Sequence, residues 1–442
     1  MRIAVVGGTG YVGLTTAVCL ATKNHLVHCV GRNEKKIEKL REGRPIIYEE
    51  GLEEMLKEVL KSGRFAPSTG LRNAVQNSEV IFICVGTPSR DDGSIDLSQI
   101  ERASEQIGGA LRAASNYQVV VMKSTVVPGT TEELVLPLLE RFSGKNVGSD
   151  FGLCMNPEFL REGQAIEDFI HPKEQGIIIG EFDQRSGNVL AEIYREFEAE
   201  ILRTSIPVAE MIKYARNAYL AKDVSFANEI ANICQRLGVD YLAVKRGLEM
   251  DARIGEGRFL DAGAGFGGSC FPKDVKAIVA KVEECGFQPL MLRSTLKVNE
   301  TQPIELVRLA KQVLSDLKGK RICVLGLAFK PGTDDVREAS SIRVVESLLA
   351  EGCKVNVYDP KAEDNARKIF GERVEYAKGA KEALRDSDAC IIVTEWPEFS
   401  NPQLYFAMRG KVIIDGRRSL NFKKLPHGFT YHAIGFPKAV KT

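Results

Sequence analysis

Short apolar runs at residues 3 to 6, 26 to 30, 80 to 85 and 118 to 122 alternate with stretches whose apolar positions recur at helical spacing. That alternation predicts a parallel sheet with crossover helices in the N-terminal part of the chain. The same pattern returns with runs at 321 to 325, 353 to 358, 389 to 393 and 411 to 414, each ending near Gly, Asp or Thr. A second, smaller α/β domain is expected there. Between the two, Ser205 and Pro207 give a helix start, and the helical pattern continues to a stop at Gly238. About thirty residues at 1.5 Å rise make a helix roughly 45 Å long. Such a helix can bridge two domains and offer a face to a second subunit; a long core helix has the same pattern.

Composition narrows the class. The chain has 442 residues, 44% of them hydrophobic, enough for two or three domains with sizeable cores. Lys plus Arg total 60 against 59 Asp plus Glu, so there is no net basic field for a nucleic acid and no acidic excess of the kind that favours disorder. An anionic ligand must be held by local charges. The first strand begins directly after Met1, and no apolar run is long enough to span a bilayer, so a cytoplasmic protein is expected. Ten scattered cysteines without a Cys-x-x-Cys pair, and only five histidines, indicate neither a disulfide framework nor a zinc site.

Gly8-Thr9-Gly10-Tyr11-Val12-Gly13 follows the first strand and opens a helical pattern. In that context Gly-x-Gly-x-x-Gly is a dinucleotide signature, because the glycines let a pyrophosphate reach backbone amides at a helix N-terminus. Gly86, Thr87, Pro88, Ser124 and Thr125 fall at the ends of later strands, where ligands of such sheets bind. The expected architecture is therefore α/β. Two Rossmann-like doubly wound parallel-sheet domains, at 1–203 and 301–442, are joined by a central helical and dimerisation region at 204–300. The second strand should end in an acid that hydrogen-bonds the adenosine ribose of NAD, but Gly31-Arg32-Asn33 stands there. An arginine suits the 2′-phosphate of NADP, so both cofactors stay open.

Candidate chemistry centres on Cys270, in Gly-Ala-Gly-Phe-Gly-Gly-Ser-Cys-Phe-Pro-Lys-Asp (263 to 274). A thiol near a helix start at Pro272, with Lys273 nearby, is in positive potential that favours the thiolate, the form that attacks a carbonyl. Asn-Pro-Glu-Phe-Leu-Arg-Glu-Gly (156 to 163) places Glu158 and Glu162 four apart. Lys213 and Asn217 are i and i+4 on the long helix and share one face. Each of these, taken alone, also fits a solvated surface.

Together with Gly-Leu-Ala-Phe-Lys-Pro-Gly-Thr-Asp-Asp-Val-Arg-Glu (326 to 338) and Thr-Glu-Trp-Pro-Glu-Phe (394 to 399), they give a consistent set. In order and spacing, from Arg2 to the Asp-Gly-Arg-Arg at 415 to 418, the chain resembles the UDP-glucose/GDP-mannose dehydrogenase family of nucleotide-sugar 6-dehydrogenases. Arg253-Ile254-Gly255, the Ser269 to Asp274 segment and Thr394-Glu395-Trp396 look more like the branch acting on UDP-glucose than the one acting on GDP-mannose. A non-catalytic nucleotide-sugar binder is the alternative of a different class, since fold does not fix function. It would have no use for the full set of reactive residues.

The resemblance implies a four-electron oxidation of a sugar C6 alcohol to a carboxylate through a thiohemiacetal and a thioester on Cys270. It implies Asp274 and a water held by Thr125 as proton acceptor, Lys213 and Asn217 as oxyanion donors, and Glu158 as the base for thioester hydrolysis. Substrate would contact Glu158, Phe159, Leu160, Arg161, Glu162, Lys213, Asn217, Phe259, the loop Gly265, Phe266, Gly267 and Gly268, Cys270, Phe329, Lys330 and one of Arg417 and Arg418. Arg253 would reach the substrate of a neighbouring subunit, making a homodimer or higher homo-oligomer the working unit. Cofactor would contact Gly8, Gly10, Tyr11, Val12, Gly13, Arg32, Lys36, Gly86, Thr87, Pro88, Ser124, Thr125, Glu162, Lys273 and Arg337. No metal, nucleic acid or membrane enters this picture.

Overall fold

A computed structural model describes residues 1–254 and 259–442; Gly255 of the Arg-Ile-Gly motif lies outside the described residues. The chain divides into two compact units, Met1–Arg216 and Asn217–Thr442.

The first unit is built on eight strands: β1 (Arg2–Val6), β2 (Leu26–Val30), β3 (Phe65–Ser68), β4 (Val80–Ile83), β5 (Gln118–Met122), β6 (Phe151–Met155), β7 (Ile177–Glu181) and β8 (Ile201–Thr204). Their order in the sheet is β3-β2-β1-β4-β5-β6-β7-β8. All pairs are parallel except β6 with β7. Successive residues of a strand point to opposite faces. In β1, Ile3 and Val5 therefore enter one hydrophobic core while Ala4 and Val6 enter another. Helices cover both faces, which is why the inner strands read as unbroken apolar runs rather than alternating ones. Chain order reverses between β1 and β4, and the loops leaving those two strands open the crevice where ligands of such sheets bind.

The second unit repeats the plan with β9 (Arg321–Leu325), β10 (Lys354–Tyr358), β11 (Glu375–Tyr376), β12 (Ala389–Ile392), β13 (Val412–Asp415), β14 (Thr430–Ala433) and β15 (Val440–Lys441). The order is β11-β10-β9-β12-β13-β14-β15, with only the β14–β15 pair antiparallel. One 32-residue helix, Ile206–Leu237, carries the chain from the first unit into the second. Two further helices of the second unit matter for chemistry: Phe271–Glu284, whose N-cap is Cys270, and Leu290–Leu314. The expected doubly wound α/β architecture with a long joining helix is the one observed. Among the described residues, no helix is long and apolar enough to cross a membrane.

Candidate active site

In the first unit, the loop after β1 turns through Gly7 at φ +91° and leads to Gly10, the N-cap of the helix Tyr11–Thr22. The glycines are needed for space. A Cβ at Gly13 would stand 2.3 Å from the Gly7 carbonyl oxygen, and one at Gly7 would stand 2.4 Å from that of Cys84. The chain thus packs the helix N-terminus tightly against β1 and β4. A cleft of about 980 Å³ opens there, walled by Gly7, Thr9, Gly10, Arg32, Lys36, Cys84, Val85 and Gly86 among others. A helix start beside an open cleft suits the pyrophosphate of a dinucleotide. Ser124 donates its hydroxyl to Val85 O at 2.7 Å, joining the loops after β4 and β5.

Behind this crevice lies a buried ion pair. Lys213 Nζ donates to Glu158 Oε1 at 2.9 Å and to Glu158 O at 2.7 Å, with 3% and 8% of the two residues exposed. The Leu160 amide donates to the other carboxylate oxygen at 2.7 Å. Burial would raise the Glu158 pKa, but the Lys213 charge and hydrogen bond, the Leu160 amide and the charge of Lys123 outweigh it. The carboxyl is held below its ordinary value. Lys123 is itself buried and donates to Asn156 Oδ1 at 2.8 Å, the same oxygen that accepts the Tyr194 hydroxyl at 2.6 Å. Burial pushes Lys123 down to about 8, against the attraction of Cys84 and Glu158.

In the second unit, Cys270 is partly exposed and its sulfur lies 3.5 Å from Ser269 Oγ. As N-cap of Phe271–Glu284 it sits at the positive end of a helix, with Pro272 in the first turn. Lys273 directs its ammonium to Asp274 Oδ1 at 2.6 Å, while Asn217 Nδ2 donates to Asp274 Oδ2 at 2.6 Å. Lys273, predicted to add positive potential near the thiol, thus also holds a buried carboxylate.

The glycine run before Cys270 is clamped by polar side chains that sequence reading did not single out. Asn228 Oδ1 accepts from the Gly263 amide, Gln302 Nε2 donates to Gly263 O, and Asn299 pairs with both the amide and the carbonyl of Phe266, all at 2.7–2.9 Å. Asn299 and Gln302 are three apart on Leu290–Leu314, and two amide side chains at helical spacing were the available signal. Gly268 stands at φ +83° with Phe329 so close that a Cβ would meet its ring at 2.8 Å. Phe259 and Phe266 pack around Phe271 at 6.3 and 6.0 Å. Asp359, just past β10, accepts from the Leu327 and Ala328 amides and from Trp396 Nε1, fixing the loop that leads to Phe329 and Lys330.

Arg417 reaches the same run: its Nη2 lies 3.4 Å from Gly265 O and its Nε pairs with Glu395 at 3.1 Å. Arg418 turns away and pairs with Asp240 at 2.5 Å. Arg161 grips the buried Asp168 through backbone and guanidinium, and exposed Arg253 and Arg337 pair with Asp251 and Asp335. Tyr11 and the Gly163 and Ala165 amides all donate to Glu49, a buried carboxylate tying the dinucleotide loop to the segment after Glu158.

Family models match in chain order: the NAD binding domain of the UDP-glucose/GDP-mannose dehydrogenase family over residues 1–198, its central domain over 207–301 and its UDP binding domain over 323–422. The UDP-glucose 6-dehydrogenase AglM of Haloferax volcanii is 42% identical over 440 residues, covering 98% of this chain and 100% of that protein. The UDP-glucose 6-dehydrogenase TuaD of Bacillus subtilis is 39% identical, covering 99% and 93%. A solved UDP-glucose dehydrogenase from Pyrobaculum islandicum superposes with a TM-score of 0.91 at 40% identity, covering 98% of this chain and 97% of that one. Three domain matches in chain order and a full-length relative at 42% identity show that this chain is an oxidoreductase belonging to the UDP-glucose/GDP-mannose dehydrogenase family, whose cofactor is NAD.

Proposed function

We propose that the chain oxidises the C6 alcohol of UDP-glucose to a carboxylate in two NAD-dependent rounds, releasing UDP-glucuronate. The observation that carries this reading is Cys270 at a helix N-cap, four residues before a buried Asp274 held by Asn217. The nicotinamide, when bound, accepts a hydride in each round. In the first round Asp274, with a water held by Thr125, takes the alcohol proton as the hydride leaves C6. The Cys270 thiolate then adds to the aldehyde carbon, forming a C–S bond and an alkoxide that takes a proton. Loss of that proton and of the second hydride gives the thioester. Glu158, ionised at neutral pH, takes a proton from the water that attacks the thioester, and collapse of the tetrahedral adduct expels the thiolate. Lys213 and Asn217 stabilise the oxyanions, each donor of this kind being worth about 10²- to 10³-fold in turnover.

Arg417, beside the glycine run, is the substrate-side cation, and Arg418 serves the fold. The 301–442 domain holds the UDP moiety, Lys330 and Phe329 included, while Gly8 to Gly13, Gly86 to Pro88 and Arg337 serve the cofactor. A homodimer forms along the central helix, where Tyr219, Phe226, Ile233 and Leu237 are exposed apolar side chains. Arg253 lines a groove of about 670 Å³ beside Tyr219 and Phe226, and acts on the neighbouring subunit's substrate. Ten free cysteines suit a reducing cytoplasm.

The test is nicotinamide absorbance after complete consumption of a known amount of UDP-glucose. Two reduced nicotinamides per sugar are expected, and Cys270→Ala should still bind UDP-glucose but form no acid. Acid formation by that variant at the wild-type rate would rule out the thioester route. Reduction with GDP-mannose but not UDP-glucose would keep the chemistry and change the substrate.

A further inference from the structure

The adenosine end of the cleft differs from what an NAD ribose asks for. Discrimination for NAD rests on a carboxylate at the end of the second strand, hydrogen-bonded to the ribose hydroxyls. Here Gly31 follows β2, and a side chain there would run into that of Thr9 as it stands. A Cβ there would stand 2.3 Å from Thr9 Cγ2 and 3.2 Å from Ile37 Cδ1. Thr9 thus takes up the space beside Gly31, and a carboxylate at 31 would require its side chain to move.

Cations stand around the vacated place. Arg32, Lys36, Arg72 and Arg102 line this cleft together with one carboxylate, Glu105. The Arg32 guanidinium is steadied by Gln99, which accepts from its Nη2 at 3.2 Å. That bond uses one of five donors and leaves the charge uncompensated. Among the described residues none of Arg32, Lys36 and Arg72 is in an ion pair. The Lys36 backbone amide is already capped by Asn33 Oδ1 at 3.1 Å, so anion binding here would rest on side chains.

We propose that this end of the cleft is a phosphate subsite for the adenosine 2′-phosphate of NADP, with Arg32 and Arg72 as its principal ligands and Lys36 as flanking charge. The chain then uses NADP as well as NAD. This rests on the cleft being the dinucleotide site. A guanidinium matches a phosphate through two parallel N–H bonds, and Gln99 presets its plane.

The test is direct binding to the full-length chain, by calorimetry, of adenosine 2′,5′-bisphosphate and of 5′-AMP, which differ only in the 2′-phosphate. Binding of the bisphosphate at least tenfold tighter, with the advantage shrinking as salt rises, is expected. The double variant Arg32→Ala/Arg72→Ala should bring the affinity ratio to within about twofold. NAD must displace the bisphosphate; a bisphosphate signal that NAD does not displace marks an adventitious anion site and overturns the proposal. NAD binding with no preference for the bisphosphate overturns it too, while leaving the dehydrogenase reading intact. Failure of all three nucleotides to bind overturns both. As an independent check, Thr9→Gly/Gly31→Asp makes room for a carboxylate at the end of β2, and this variant should reverse the ratio in favour of 5′-AMP. A ratio that stays with the bisphosphate would mean that the 2′ position lies elsewhere.

Discussion

Replacing Lys213 by Met removes the main counter-charge of a carboxylate that has almost no access to water. Taking one partner from a buried pair costs about 3–5 kcal/mol, because the remaining charge is stranded. For a unit of about 200 residues each kcal/mol moves the midpoint by about 2–4 °C, so the first unit should melt roughly 6–20 °C earlier. The pH dependence carries a definite sign. In the wild type the Glu158 pKa is held below its unfolded value. Its stabilisation is therefore present above that value, about 4.3, and is lost as pH falls through the folded one. In Lys213→Met burial is opposed only by the Leu160 amide and Lys123, so the pKa rises and the carboxyl takes up a proton on mild acidification. The deficit against wild type should then be smaller at pH 5 than at pH 7. Thermal melts of wild type, Lys213→Met, Glu158→Gln and the double variant at both pH values provide the cycle. The double variant should lose clearly less than the sum of the singles. Additivity within about 0.5 kcal/mol together with a deficit that does not change with pH would refute the pairing. In the same preparations turnover of Lys213→Met should fall about 10²- to 10³-fold, the usual loss for a missing oxyanion donor.

Lys123 should leave a trace on the alkaline side. With its pKa lowered to about 8, the folded chain sheds that proton before the unfolded chain does, so stability gains from Lys123 as pH rises from about 8 to its unfolded value of about 10.4. Melting from pH 7.5 to 10 should show that rise in wild type and not in Lys123→Met; identical profiles would show that the group does not titrate there. Glu49→Gln turns one of its two oxygens into an NH2 that faces a donor, either the Ala165 amide or Tyr11 Oη with the Gly163 amide, at a cost of about 1–3 kcal/mol. Since Glu49 joins the dinucleotide loop to the segment after Glu158, KM should rise for both NAD and UDP-glucose. A rise for only one of them would show that the two loops are not tied through this residue.

What could be read in advance follows from how many physical demands a segment meets at once. Strands inside a parallel sheet covered on both faces need apolar residues at every position, so β1, β4, β5, β9 and β12 stand out as unbroken runs. Edge strands face fewer demands: β3 holds Pro67 where no donor is missed, and β8 exposes Leu202 and Arg203, so neither shows such a run. The candidate reactive residues stand out in the sequence for the same reason in reverse. A thiol, two carboxylates, an amine and an amide in fixed order serve no packing demand as a group. The clamps were not legible, because Asn228, Asn299, Gln302, Glu49 and Asp359 have ordinary helix or loop residues around them, and their purpose appears only when distant backbone amides arrive. Lys273 illustrates the limit most clearly. Its place three residues after Cys270 predicts positive potential at the sulfur, but its hydrogen bond to the adjacent Asp274 carboxylate appears only in the structure. The N-cap position of Cys270 adds positive potential set by the backbone, which favours the thiolate. Asp274 is steadied by an ammonium on one oxygen and an amide on the other, which fixes the orientation of its carboxylate.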